Sequence, residues 1–196
     1  MNNLDIIPVE SHPLKPFIPQ NTQVLMLGSF PPKRERWSMD FYYPNLQNDM
    51  WRIFGLVFFR DKDYFLNNVK KFDKDRIISF LTLKGIALND TAWSVKRLKD
   101  NASDKFLEVI ETTDMNALLN QMPMCKAIVT TGQKATETLC ALVSAVAPSV
   151  GNFTEFEYRN RKMYFYRMPS SSRAYPKPLS EKVAVYARMF EELGLL

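Results

Sequence analysis

The chain holds one histidine, His12, and two cysteines, Cys125 and Cys140, and that inventory excludes much chemistry. A nucleophile–histidine mechanism would have to use His12, and no serine or cysteine nucleophile motif surrounds it. His12 stands in His12-Pro13-Leu14-Lys15-Pro16, which reads as a lead-in loop. An iron–sulfur cluster takes four thiolates and a structural zinc four Cys or His ligands, so neither is expected, nor is any other metal or cofactor. Both cysteines lie in apolar stretches and read as small buried hydrophobes rather than a disulfide or redox pair. Polar chemistry is left to neutral amides, hydroxyls and carboxylates beside sharp turns: Gly28-Ser29, Asn45, Asn48, Asp90 and Ser170-Ser171-Ser172. Two basic clusters lie near them in sequence, Lys33/Arg34/Arg36 and Lys96/Arg97/Lys99. With a net charge of +5, these permit binding to a polyanion, although each cluster alone reads more readily as a solvated loop.

The elements that must position these residues follow from hydrophobic periodicity. Gln23 to Leu27 is a short apolar run closed by Gly28, the pattern of a buried strand. The loop from Ser29 to Asn45 is long, and its aromatics (Phe30, Trp37, Phe41, Tyr42, Tyr43) argue against disorder. A helix is expected from about Asn48, with Met50, Trp51, Phe54, Val57 and Phe58 on one face. Residues 72–83 suggest another helix, and Ile86-Ala87-Leu88 a short buried strand. A polar connection and a helical stretch through Met115–Leu119 follow. Lys126 to Thr131 reads as a strand ending at Gly132, and Ala135, Leu139, Leu142, Val143 and Val146 as the next helix. Alternation in Phe153–Tyr158 and Lys162–Met168 around Arg159-Asn160-Arg161 predicts a hairpin. The final helix spans about Pro178 to Leu193. Strands alternating with helices imply an α/β fold, a three-layer α/β/α sandwich with a mostly parallel central sheet. Ligands of such sheets bind at the carboxyl ends of the strands, which groups the loops after Leu27, Leu88, Thr131 and Met168.

At 196 residues the chain suits a single domain over 1–196, with residues 1–21 (Pro8, Pro13, Pro16, Pro19) as an extended lead-in. No run of about 18 apolar residues predicts a membrane span, and Met1-Asn2-Asn3-Leu4-Asp5 lacks the look of a secretory signal. A cytoplasmic monomer with no membrane partner is the expectation.

Those loops carry a recognisable set of motifs. Leu27-Gly28-Ser29-Phe30-Pro31-Pro32 resembles the first motif of the uracil-DNA glycosylase superfamily, a strand followed by Gly-x-x-Pro. Tyr42-Tyr43-Pro44-Asn45-Leu46-Gln47-Asn48-Asp49-Met50-Trp51 is similar to the hypoxanthine-DNA glycosylase branch, near the mismatch-specific uracil-DNA glycosylases. Gly85-Ile86-Ala87-Leu88-Asn89-Asp90 resembles its Gly-Ile-x-Leu-Trp-Asp motif, Thr131-Gly132-Gln133-Lys134-Ala135 its Gly-x-x-Ala turn, and Met168-Pro169-Ser170-Ser171-Ser172 its Leu-Pro-Ser-x-Ser motif. Five motifs in order over roughly residues 23–190 make a specific signal where each alone is weak. The chain departs from the pattern at Leu46 (usually Pro), Asn89 (Trp) and Arg173 (commonly Pro).

The resemblance implies a monofunctional DNA glycosylase that hydrolyses the N-glycosidic bond of a deaminated base, hypoxanthine or uracil, flipped from DNA in base excision repair. Its partner is DNA containing a damaged base. Such a bond breaks through an oxocarbenium-like sugar, so a held water and electrostatic stabilisation carry the catalysis. Carried over residue by residue, the catalytic pair is Asn45, holding the water by its carboxamide oxygen, and Asn48. The other reading of Asn45 is a helix N-cap, and that of Asn48 a buried amide fixing the loop. The base pocket is Gly28, Ser29, Phe30, Pro31, Tyr43 and Asp90. Backbone N–H groups of Ser29 and Phe30 face the base's carbonyl, Tyr43 or Phe30 stacks on it or packs in the core, and Asp90 reads a base edge or orders a loop. The DNA-binding loop is Ser170, Ser171, Ser172, Arg173 and Tyr175, with Arg173 and Tyr175 at its tip as a wedge. The alternative is a non-catalytic nucleic-acid-binding module on the same scaffold. An unrelated nucleotide-binding protein ranks lower, for want of a Gly-x-Gly-x-x-Gly loop or a P-loop lysine.

Overall fold

The structure is a computed structural model and describes residues 7–99 and 104–196. Its elements run β1 (Val9–Ser11), β2 (Val24–Gly28), α1 (Met50–Phe59), α2 (Lys74–Lys84), β3 (Ile86–Asp90), β4 (Ala92–Arg97), β5 (Leu107–Thr112), α3 (Met115–Asn120), β6 (Ala127–Thr131), α4 (Gln133–Val143), β7 (Asn152–Tyr158), β8 (Arg161–Met168) and α5 (Leu179–Glu192). The fold is mixed α/β around a five-stranded sheet in the order β3-β2-β6-β8-β7. The pairings β2/β3, β2/β6 and β6/β8 are parallel; β7 joins antiparallel, as the far arm of the expected hairpin.

β2 is buried along its whole length, which is why it reads as a continuous apolar run rather than an alternating one. Its side chains alternate between two cores. Val24 and Met26 join Trp51, Phe54, Phe80, Tyr186 and Phe190 from α1, α2 and α5. Leu25 and Leu27 join Leu118, Leu119 and Leu139 from α3 and α4. The period of two along the strand thus sorts five helices into two groups. α2 and α3 open on Asp73 and Asp114, whose carboxylates accept the backbone N–H of Arg76 and Ala117 at 3.1 and 2.9 Å.

Parallel register places four strand ends on one edge. Gly28 pairs with Asp90 and Thr131 with Met168, so the loops after β2, β3, β6 and β8 converge, as the sequence leads one to expect.

Two sequence-based expectations need correction. The segment after Asp90, read as a polar connection before α3, contains β4 and β5. They form a second, antiparallel sheet in the order β1-β4-β5. Its strands are short and bulged, with mixed burial, so no clean apolar alternation marked them. The lead-in is also more than an approach: β1 supplies an edge strand, Phe17 bridges Leu88, and His12, in the connection that follows β1, is buried at 7% exposure. Of the cysteines, Cys125 is buried and Cys140 half-buried, and neither forms a disulfide. Burial pushes the Cys125 thiol up to about 11, the behaviour of a core residue rather than a reactive one.

Candidate active site

A cavity of about 360 Å³ opens where the four strand ends converge. Gly28, Ser29, Phe30 and Pro31 line it from the loop after β2, Tyr43, Asn45 and Asn48 from the segment before α1, and Asp90 from the end of β3. Ser170, Ser171, Ser172 and Arg173 close it from the loop after β8. Every site residue expected from the sequence lies on it except Tyr175, which is half-buried one residue beyond Ala174 and off the cavity wall.

The floor is built by close approach of β2 and β3. A Cβ added to Gly28 would fall closer than 3.0 Å to Asp90 Oδ1 and 3.6 Å from the Tyr43 hydroxyl, so only glycine fits beside that carboxylate. Asp90 is 6% exposed. Its Oδ2 lies 2.9 Å from His12 Nε2, and the Thr113 hydroxyl donates to its carbonyl at 2.6 Å. Burial lowers the His12 pKa, but the hydrogen bond and charge of Asp90, with the Leu14 backbone, outweigh it and leave the imidazole above its ordinary value. Tyr42 donates to Asn89 Oδ1 at 3.1 Å and to the Lys15 carbonyl at 3.0 Å. Burial first, then the charge of Asp90, raises its pKa, so it stays neutral.

Tyr43 forms the wall. Its φ of 49° is left-handed, a conformation that costs a non-glycine residue about 1 kcal/mol or more. The turn is held by a 3.0 Å bond between the Tyr43 hydroxyl and Thr131 Oγ1, and by edge-on packing against Trp51. Phe30, the other stacking candidate, is 8% exposed within a small apolar cluster with Ala92, Val95 and Leu107. Its ring meets the His12 ring edge-on. Both rings line the cavity, and Tyr43 is the less buried of the two.

Both asparagines are engaged locally through their carboxamide oxygens. Asn45 Oδ1 accepts from Gln47 N–H at 2.9 Å, and Asn48 Oδ1 from Met50 N–H at 2.9 Å. The capping role considered for Asn45 therefore falls to Asn48, which satisfies a first-turn donor of α1 that the N-cap residue Asp49 leaves open. Each oxygen retains a second lone pair for a water.

The loop after β8 differs from the wedge expected of it. Arg173, whose side chain is 43% exposed, is latched rather than free: its Nε donates to Asp49 Oδ1 at 2.9 Å, and its backbone N–H to the Gln47 carbonyl at 3.3 Å. Asp49 N–H donates to the Ser171 carbonyl at 2.8 Å. Beneath lies Lys182 of α5, 1% exposed, whose Nζ donates to the Ser172 carbonyl at 2.8 Å and sits 3.5 Å from Asp49 Oδ2. A buried acid with two cations thus stitches the serine loop to the asparagine loop. Sequence reading passed over Lys182, although the signal was present. Lys182, Tyr186, Met189 and Leu193 step by four, three and four along the buried face of α5, and a lysine there requires an acid partner.

Arg36 and Arg97, which the sequence marked only as members of basic clusters, also line the cavity. Arg97 pairs with both carboxylate oxygens of Glu10 at 3.1 and 3.0 Å. Arg36 is exposed, and its guanidinium has no partner among the described residues. Among the described residues, no three His, Cys, Asp or Glu side chains gather as a metal would require, and no helix is long and apolar enough to cross a membrane.

No family model matches the sequence, and no curated protein matches it either. The fold does match a solved structure. The solution NMR structure of a protein from Methanosarcina acetivorans, whose own assignment as a uracil DNA glycosylase is provisional, superposes with a TM-score of 0.63. The match covers 95% of this chain and 99% of that one at 21% identity. At that identity the likeness establishes a shared fold.

Proposed function

We propose that this chain is a DNA glycosylase of the uracil-DNA glycosylase superfamily, closest to the hypoxanthine branch, acting as one unit over residues 1–196. The reading extends to the architecture: the five-stranded sheet between α1/α2/α5 and α3/α4 is the superfamily's three-layer sandwich, and β1-β4-β5 is an addition to it. The observation that carries the proposal is the cavity itself. Five short motifs, scattered over the sequence, contribute to one pocket at the carboxyl edge of a parallel sheet, which is where such folds place their ligands.

In this reading a flipped base enters between Tyr43 and the Gly28–Pro31 turn. Tyr43 stacks on it, and Asp90 meets its edge. The second lone pair of Asn45 Oδ1 orients the attacking water while Asn48 fixes the loop geometry. The sugar departs as a cation-like species, so aim and electrostatics matter more than a strong base. Ser170 to Ser172 lie against the phosphates. Arg173, latched to Asp49, stiffens that loop rather than filling the vacated stack, and Arg36 at the rim is a cation without a partner among the described residues.

Single-turnover excision from oligonucleotides carrying uracil, hypoxanthine, xanthine or an alkylated base is the test. Release of a deaminated base supports the reading; no release of any base, with duplex binding retained, gives the chain to the second reading. That second reading is a non-catalytic nucleic-acid-binding module. One observation favours it: Asn45 Oδ1, the intended water anchor, already accepts the Gln47 N–H.

A further inference from the structure

His12 comes from outside the motif loops, one residue past the strand β1 at the edge of the second sheet, yet it ends against the pocket floor. Its ring is buried and sandwiched. Trp93 stacks on one side at a centroid distance of 6.1 Å, and the Phe30 ring meets it edge-on at 5.3 Å. The backbone N–H of His12 donates to the Trp93 carbonyl at 2.7 Å. The imidazole therefore has no rotational freedom to spare.

Its two nitrogens have separate tasks. Nδ1 lies 3.2 Å from the Leu14 N–H and 2.9 Å from the Leu14 carbonyl. A neutral ring accepts from the first through Nδ1, and a protonated ring donates to the second. In both states Nε2 keeps its hydrogen and directs it at Asp90 Oδ2, 2.9 Å away. Asp90 is thus held on one oxygen by a donor that does not change with protonation. The other oxygen, Oδ1, lies over Gly28, where an added Cβ would collide with it, and the side chain lines the cavity.

We propose that His12 is the positioning residue of the base pocket, holding the Asp90 carboxylate as a fixed hydrogen-bond acceptor so that the pocket selects bases with a ring N–H. The inference rests on the glycosylase reading and specifies its substrate class. Uracil carries N3–H and hypoxanthine N1–H, whereas cytosine and adenine present a bare nitrogen lone pair at the corresponding atoms. A carboxylate oxygen facing a lone pair in a desolvated pocket is left unpaired and repelled, and a site built to receive a donor rejects analogues that lack it. Deamination converts that ring atom from acceptor to donor in both a pyrimidine and a purine, so one fixed oxygen serves both. A mobile carboxylate, or a protonated one, would accept either edge and lose the distinction.

The experiment compares wild type, His12→Ala, His12→Gln and Asp90→Asn on oligonucleotides with uracil, hypoxanthine, N3-methyluracil and N1-methylhypoxanthine. Wild type should release the first two and not the methylated pair. His12→Ala should slow release of the N–H bases by at least about tenfold, the scale of a hydrogen bond to a charged group. It should also narrow the preference over the methylated bases. His12→Gln, which keeps a side-chain N–H donor, should restore part of both. An His12→Ala enzyme with unchanged rate and preference overturns the proposal. A wild type that releases no base defeats the glycosylase reading itself, a different outcome from an active wild type indifferent to His12. Should the variants fail to fold, the imidazole of wild type, the chain's single histidine, gives unambiguous 15N NMR signals. Binding an oligonucleotide with uncleavable 2′-fluoro-deoxyuridine should shift Nε2, and its N3-methyl counterpart should not. No shift with the uracil oligonucleotide refutes the coupling.

Discussion

Gly28→Ala puts one methyl group into the most crowded point of the pocket. The new Cβ would stand closer than 3.0 Å to Asp90 Oδ1, where ordinary contact begins at 3.4 Å, and 3.6 Å from the Tyr43 hydroxyl. The carboxylate cannot simply turn away. Its Oδ2 is bonded to His12, and its backbone is locked in register opposite Gly28. Relief must come from breaking the His12 bond or from spreading β2 and β3. Either route costs about 1–3 kcal/mol, the range for overpacking and for a lost hydrogen bond to a charge. For a domain of this size that corresponds to a melting-point drop of roughly 2–12 °C. Excision should fall by more than the stability loss explains, because the methyl displaces the Asp90 oxygen proposed to meet the base. Thermal melts and single-turnover excision at a temperature where both proteins are fully folded separate the two effects. A Gly28→Ala protein with wild-type melting and wild-type excision would show that the floor is looser than the distances imply and refute the close-packed account.

Asn45→Ala should reduce single-turnover excision by at least about a hundredfold, the scale of one well-placed polar group, with duplex affinity little changed; survival within a few-fold would move the water to Asn48. Duplex affinity should fall roughly fortyfold between about 50 and 200 mM salt if some three phosphates are neutralised, measured by anisotropy titration, and a flat response would favour a small-molecule ligand. Lys182→Ala should lower unfolding free energy by about 3 kcal/mol, since stripping one partner from a buried ion pair leaves Asp49 under-compensated; a chemical-denaturation loss under about 1 kcal/mol would mean that Arg173 and Arg52, whose Nη1 lies 4.0 Å from Asp49 Oδ1, suffice. His12 has a folded pKa above its unfolded value of 6.5, so its protonation stabilises the fold below about pH 6.5, and that contribution is lost as pH rises through the folded pKa. The melting-point gap between wild type and His12→Gln should therefore shrink from pH 5.5 to pH 8.5, and a constant gap would contradict the assignment.

The sequence alone determined the elements whose pattern is local. β2 and β6 are unbroken apolar runs, α1 and α5 carry 3.6-residue stripes, and the β7–β8 hairpin alternates around a polar turn. These periodicities follow from backbone geometry and burial, so they are legible without a partner. The order of strands grouped their carboxyl-end loops, and all but one of the expected site residues line the cavity those loops enclose. What stayed hidden was everything whose meaning lies in a distant partner. β4 and β5 have mixed burial because they pair in a small second sheet. His12 reads as a loop residue until Asp90, seventy-eight positions away, comes within 2.9 Å. Lys182 reads as a solvated helix charge until Asp49 lies beside it. Arg173 reads as a projecting wedge until the same Asp49 captures it. The energy of a buried charge is set by its neighbours in space rather than by its type, so only the tertiary structure could decide which polar groups aim the site and which hold it together.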